Sequence, residues 1–109
     1  MNELSDEGYK ILQNMLIKDE GYRSKLYKDI FGNWTGGIGR NFDSVDISFD
    51  EALYMLSNDI KSAVKEVKIA INNYDKLSDN RKIVLINMMF NLGLSKFLTF
   101  KKYVSIFLN

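Results

Sequence analysis

Two carboxylic acids, a threonine and a group of glycines stand close together in the first part of the chain. Glu20, Asp29 and Thr35 lie within the twenty-one residues of segment 20–40, which also holds five of the seven glycines. Paired carboxylates held apart across a cleft are the groups that hydrolyse glycosidic bonds. A glycine-rich backbone also lets a sugar chain approach closely. The segment therefore predicts an active-site cleft.

The composition excludes several other kinds of chemistry. The chain has 109 residues, with no Cys and no His. This removes Ser-His and Cys-His catalytic groups, thiol redox chemistry and the ordinary zinc sites. Carboxylates are then the main candidate acids and bases, and we predict no metal site and no cofactor.

The N-terminus and the hydropathy pattern bear on location. Residues 1–8 are polar and acidic, with neither the basic start nor the apolar run of a signal peptide. No stretch approaches the length of uninterrupted apolar sequence that a membrane helix needs. We therefore expect a soluble protein with no signal peptide and no membrane partner.

The charge is divided unevenly along the chain. The net charge is +1, but residues 1–55 carry 6 Lys/Arg against 10 Asp/Glu, a net −4, and residues 56–109 carry 9 against 4, a net +5. A basic half could meet an acidic polymer, although scattered charge is more typical of a solvated helical surface. There is no recognisable groove-reading motif, so we predict no nucleic-acid partner.

Local signals place two long helices around a small β-hairpin. Ser5 is the expected cap of the first helix, which should end near Glu20 with Gly21 as its stop. The turn 31–33 separates two short β-prone runs, which predicts the hairpin. Segment 48–51 has the spacing of a capping box and opens a second helix of about twenty-three residues.

The second half of the chain predicts two more helices. Ser78 or Asp79 is the expected cap of a third helix that ends at Gly93. Apolar residues cover most of its faces, so we expect it to be central and buried. Thr99 is then the expected cap of a short last helix, 100–108, whose apolar end needs covering by a fold or a partner.

Several segments, taken together and in order, resemble the phage T4-type lysozymes. The resemblance covers about residues 10 to 105, and its specific part is the Glu/Asp/Thr spacing in a glycine-rich setting. The matching segments are Glu20-Gly21, Leu26-Tyr27-Lys28-Asp29, Gly32-Asn33-Trp34-Thr35, Gly37-Ile38-Gly39-Arg40 and Ile86-Asn87-Met88-Met89-Phe90-Asn91-Leu92-Gly93.

The resemblance implies a fold and an activity. The expected fold is one lysozyme-like α+β domain, mostly α, with a β-hairpin lobe at about 21–47, a long connecting helix, and a helical lobe at about 48–109 that includes the N-terminal helix. Members of the family are endolysins, muramidases that hydrolyse the β-1,4 bond between N-acetylmuramic acid and N-acetylglucosamine. The expected partner is therefore the glycan strands of peptidoglycan. Such a protein is made in the cytoplasm of the host bacterium and acts on the cell wall after release.

The resemblance also implies catalytic roles. Glu20 matches the general acid, Asp29 the second carboxylate, and Thr35 the threonine that helps place the attacking water. A glycosidic oxygen is a poor leaving group, so an acid must protonate it as the bond breaks. We expect burial of Glu20 at the helix end to favour the protonated form. Family precedent is inversion, which needs room for water between the two carboxyl groups.

Three further residues match family positions that bear on substrate binding. Phe90 and Asn91 match positions that face the substrate groove, and Arg40 stands where other members carry His or Arg. The pattern alone favours a core position for Phe90. It is equally consistent with a structural ion pair for Arg40. Both alternatives stay open at this point.

Two departures from the family pattern affect these expectations. Gly36 stands where the family usually has a bulky apolar residue, so the expected sheet behind Thr35 is either looser or packed against something else. Family members typically continue past the last predicted helix with more helices, one of which carries a Trp and an Arg that close the cleft. One hypothesis is therefore a C-terminally short muramidase, which is either a minimal enzyme that compensates, for example by self-association through residues 100–108, or a truncated descendant. The other is a catalytically inactive lysozyme-like module that binds peptidoglycan or another protein.

Overall fold

The computed structural model describes residues 3–101. The chain divides after Ser48 into two compact units. The first contains helix α1 (Asp6–Glu20) and strands β1 (Arg23–Lys28), β2 (Trp34–Gly37) and β3 (Arg40–Asn41). The second contains helix α2 (Phe49–Ala70), a short 3₁₀ turn (Tyr74–Lys76) and helix α3 (Asp79–Thr99). The predicted α+β class, mostly α, is confirmed.

Helix α1 has the bounds that its end signals predict. Ser5 Oγ accepts a hydrogen bond from the Gly8 N–H at 3.0 Å, which satisfies one of the unpaired donors at the start of the helix. At the other end, the Gly21 N–H donates to the Ile17 carbonyl at 2.9 Å, and Gly21 has a φ of 71°. Glu20 is therefore fixed as the last helical residue.

The three strands form one antiparallel sheet in the order β1-β2-β3. The predicted hairpin corresponds to β1 and β2, but β3 was not predicted because two residues are too few to show an alternating pattern. Thr35 in the middle strand pairs with Tyr27 on one side and Asn41 on the other. This central position leaves Thr35 only 6% exposed.

The space beside Gly36 is filled by neighbouring side chains. A Cβ built on Gly36 would lie 2.5 Å from Leu26 Cδ2 and 3.6 Å from Phe42 Cε2. Leu26 thus occupies the place that a larger residue at position 36 would take. Leu26 and Phe42 therefore pack against the Gly36 backbone in the middle strand of the sheet.

The second unit has a buried apolar cluster between α2 and α3. α3 contributes Leu85, Met89 and Phe97 to this cluster, whereas Ile83 and Phe90 on the same helix are exposed. Only one face of α3 is therefore buried. The expectation that α3 is a central, buried helix was wrong. The cluster consists of Ala63, Val67, Ala70, Ile71, Tyr74, Leu85, Met89 and Phe97.

Helix α3 begins as predicted, and its first segment ends at Gly93 as predicted, but the helical segment that follows was not predicted. Ser78 Oγ accepts from the Arg81 N–H at 3.3 Å, so Ser78 is the cap. Gly93, with φ 78° and ψ 165°, interrupts the helix, which then resumes and runs to Thr99. Thr99 is the last residue of α3 and donates its hydroxyl to the Ser95 carbonyl at 3.2 Å. Most of the predicted last helix and self-association segment, residues 102–108, lies outside the described residues.

Among residues 3–101, no helix combines the length and the apolar character needed to cross a bilayer.

Replacing Phe97 by Ala is expected to destabilise the protein by about 3–5 kcal/mol. Phe97 is fully buried and follows the interruption at Gly93, so it anchors the last part of α3 in the apolar cluster. Chemical denaturation measures the loss. Ile83→Ala, at an exposed position of the same helix, is the control and should cost much less. Equal losses in the two variants would contradict this account of the core.

Candidate active site

Glu20 is held between the end of α1 and the turn that joins β2 to β3. A Cβ built on Gly39 would lie 2.5 Å from Glu20 Oε2 and 2.8 Å from its Cδ, so the carboxylate rests against the bare backbone of that turn. The expected burial of Glu20 is not found, because the residue is exposed. Its carboxyl group can therefore be reached from outside the protein.

Asp29 follows β1 and organises the turn between β1 and β2. The N–H groups of Phe31 and Asn33 both donate to Asp29 Oδ1, each at 2.9 Å. Such side-chain bonds to the backbone two and four residues ahead are a common way to stabilise a turn. Within residues 3–101, Oδ2 accepts no hydrogen bond. One oxygen thus fixes the orientation of the carboxylate while the other can act on a ligand.

Thr35 is linked to Asp29 through the carbonyl group of Asn33. Thr35 Oγ1 donates to the Asn33 carbonyl at 3.1 Å, and the Asp29 N–H donates to the same oxygen at 2.9 Å. A hydroxyl has one hydrogen and two lone pairs. Because its hydrogen is already donated, Thr35 Oγ1 can offer only an acceptor to a third group, such as a water molecule.

Arg40 has a structural role within the first unit. Its Nη2 donates to the Asp46 carbonyl, and its guanidinium lies 5.5 Å from the centre of the Phe42 ring. Both contacts hold the segment that follows β3. They place Arg40 in a structural role, and contact with a substrate stays a prediction.

Phe90 and Asn91 belong to the second unit, and both are exposed. Phe90 is absent from the buried cluster, so the alternative of a core residue is wrong. Asn91 Nδ2 donates to the Asn87 carbonyl at 2.9 Å and to Asn87 Oδ1 at 2.6 Å. Phe90 lines an apolar groove together with Leu56, Ile60, Ile83, Ile86 and Asn87.

Comparison with known proteins places these residues in a family. The phage lysozyme family model matches residues 17–105. This chain belongs to the phage lysozyme family. It is similar to a Dictyostelium discoideum protein named probable T4-type lysozyme 2, with 32% identity across 84% of this chain and 71% of that protein. Probable T4-type lysozyme 1 of the same organism is 28% identical across 83% of this chain and 70% of its own length.

The family assignment confirms the resemblance and the lysozyme-like α+β fold that it implied. The matched region includes all six candidate site residues: Glu20, Asp29, Thr35, Arg40, Phe90 and Asn91. The first four lie in the unit that ends at Ser48, and the last two lie in the unit that begins at Phe49.

Sequence reasoning missed three residues that hold the candidate groups in place. Asn33 supplies the carbonyl between Asp29 and Thr35, and its position in a Gly-Asn turn was the only available signal. Gly39 contacts Glu20 across a gap of nineteen positions, which no local pattern reveals. Asn87 stands four residues before Asn91, a spacing at which helical side chains meet.

Within residues 3–101, no group of three or more acidic side chains is placed to hold a metal ion. The expectation that this family member needs no cofactor stays a prediction.

Proposed function

We propose that the protein is a muramidase that hydrolyses the β-1,4 bond between N-acetylmuramic acid and N-acetylglucosamine in peptidoglycan, and that it serves as a phage endolysin. The observation that carries the proposal is the joint placement of Asp29 and Thr35 on the carbonyl of Asn33. Glu20 lies against the turn that leaves the strand of Thr35. Membership of the phage lysozyme family supports the same activity.

Glu20 is the proposed general acid. It donates its proton to the glycosidic oxygen as the bond from that oxygen to the anomeric carbon breaks. Its exposed position makes the carboxyl group accessible to a polymer that could not enter a closed pocket. The bound glycan then covers the carboxyl group and excludes water from it during proton transfer.

Asp29 and Thr35 are proposed to hold the attacking water. The water donates one hydrogen to Asp29 Oδ2 and the other to Thr35 Oγ1, which leaves an oxygen lone pair for attack on the anomeric carbon. The first of these hydrogens passes to Asp29 as the new carbon–oxygen bond forms. The two carboxyl groups act on opposite faces of the sugar, so the reaction inverts the anomeric configuration.

Asn91 is the proposed substrate contact with the clearest chemistry. Both hydrogens of its amide are donated to Asn87, so Oδ1 remains as an acceptor. An acceptor fits a hydroxyl or the N–H of an acetamido group. Phe90 beside it offers an exposed ring to an apolar face of a sugar, and we also propose that Arg40 lines the substrate path.

Analysis of the reaction products tests the proposal. Purified peptidoglycan is digested, new reducing ends are reduced with borohydride, and the sugars are identified after acid hydrolysis. The proposal predicts the alcohol of muramic acid among the products. The alcohol of glucosamine alone would identify a different bond. Binding to the wall without release of fragments would favour the non-catalytic module.

Replacing Thr35 by Val is expected to lower the turnover number by up to about 10²-fold, because misplacement of a reacting group by about 1 Å can have that effect. Val keeps the shape of the side chain and removes only the hydroxyl. The Asn33 carbonyl still accepts the Asp29 N–H, so the turn should persist. The rate of reducing-end release measures the effect.

Thr35→Ser is the matched control, because it retains the hydroxyl that accepts from water. It should keep most of the activity. Equal activity of the Val variant and the unmodified protein would remove Thr35 from the mechanism.

A further inference from the structure

The contact between Glu20 and Gly39 leaves no room for a side chain at position 39. A Cβ built there would lie 2.5 Å from Oε2, 2.8 Å from Cδ and 2.8 Å from Cγ of Glu20. All three distances are shorter than real Cβ atoms allow. The outer half of the Glu20 side chain therefore lies directly over the Cα atom of Gly39.

Gly37, the last residue of β2, stands next to the turn between β2 and β3 and provides a comparison. Gly37 has a φ of +60° and Gly39 a φ of +66°, so both adopt a backbone conformation that other residues rarely take. A Cβ built on Gly37 meets no atom within 4 Å, whereas one built on Gly39 meets Glu20. The backbone requirement is thus shared by the two positions, and the contact with Glu20 distinguishes them.

The turn is firmly held, so the Glu20 side chain must give way if a Cβ is added. Gly36 pairs with Arg40 across the base of the turn, and the Phe42 N–H donates to the Trp34 carbonyl at 2.7 Å. Glu20, in contrast, has a long side chain with several rotatable bonds and is exposed. A Cβ at position 39 would displace the carboxyl group more readily than the backbone.

We propose that Gly39 is a positioning residue for Glu20, and that its bare backbone sets the direction in which the carboxyl group is presented. The proposal rests on the proposed function, in which Glu20 is the general acid. Proton transfer needs the acid within hydrogen-bonding distance of the glycosidic oxygen. A displaced carboxyl group slows bond cleavage and leaves the groups that bind the glycan in place.

Gly39→Ala and Gly37→Ala form the test pair. Both introduce the same strain at positive φ, so similar small decreases in melting temperature are expected. Gly39→Ala should lower kcat by about 10²-fold with KM nearly unchanged, whereas Gly37→Ala should stay within a few-fold of the unmodified protein. Equal losses of kcat in both variants, or full activity of Gly39→Ala, would overturn the proposal.

Carbon-13 NMR of the Glu20 side chain gives a readout that does not depend on activity. The carboxyl shift and the side-chain couplings should change in Gly39→Ala and stay the same in Gly37→Ala. Unchanged Glu20 signals in Gly39→Ala would reject the positioning role even if the protein proved inactive. A changed signal in a protein without hydrolytic activity would support the contact while rejecting the proposed function.

Discussion

Replacement of Glu20 by Gln is expected to lower the rate of peptidoglycan hydrolysis by about 10²–10⁴-fold, the usual contribution of a general acid. Gln has nearly the same shape, but its amide cannot deliver a proton to the glycosidic oxygen. Because Glu20 is exposed, the substitution should leave the fold and its stability unchanged. Initial rates of reducing-end release from purified peptidoglycan measure the effect.

The matched control for this variant is Asp19→Asn. Asp19 is the neighbouring acid of α1 and is also exposed. Its substitution changes the net charge by the same amount and should leave the rate near that of the unmodified protein. If Glu20→Gln retained full activity, or if both variants lost activity equally, Glu20 could not be the acid.

Replacement of Asp29 by Asn should also reduce the rate by about 10²–10⁴-fold, because Asn can neither accept a proton from water nor carry a negative charge. The Asn oxygen can still accept from the N–H groups of Phe31 and Asn33, as Oδ1 does now. The turn should therefore survive while the chemistry is lost. Rates are measured alongside the free energy of unfolding.

Asp29→Ala separates the two roles of the carboxylate. It removes the acceptor for two backbone N–H groups as well as the charge, so it should be as inactive as the Asn variant and less stable by about 1 kcal/mol. Full stability of the Ala variant would show that the turn does not depend on Asp29. Appreciable activity of the Asn variant would exclude a base at this position.

The elements that carry the site could be predicted because their signals are local. Ser5 and Gly21 delimit α1 through capping preferences that act within one helical turn, and this fixes Glu20 at its end. The turn near Gly32 lies where the sequence places it, with Asp29 at its start. The phage lysozyme resemblance added the proposed roles.

Features that depend on distant contacts could not be predicted. The exposure of Glu20 and its contact with Gly39 arise from the way the β2–β3 turn meets the end of α1. Gly93, with its positive φ, ends the first segment of α3 as predicted, but the helical segment that runs from there to Thr99 was not predicted. Burial of Phe97 in the apolar cluster accounts for that continuation, since packing more than propensity stabilises short helical segments.

The Glu20 and Asp29 carboxyl groups are proposed to add water across a glycosidic bond. Digestion of purified peptidoglycan in water enriched in heavy oxygen tests this most directly. Products are reduced at once with borohydride and examined by mass spectrometry. One heavy oxygen is expected at each new N-acetylmuramic acid end. Absence of soluble products, or internally cyclised ends without heavy oxygen, would contradict it.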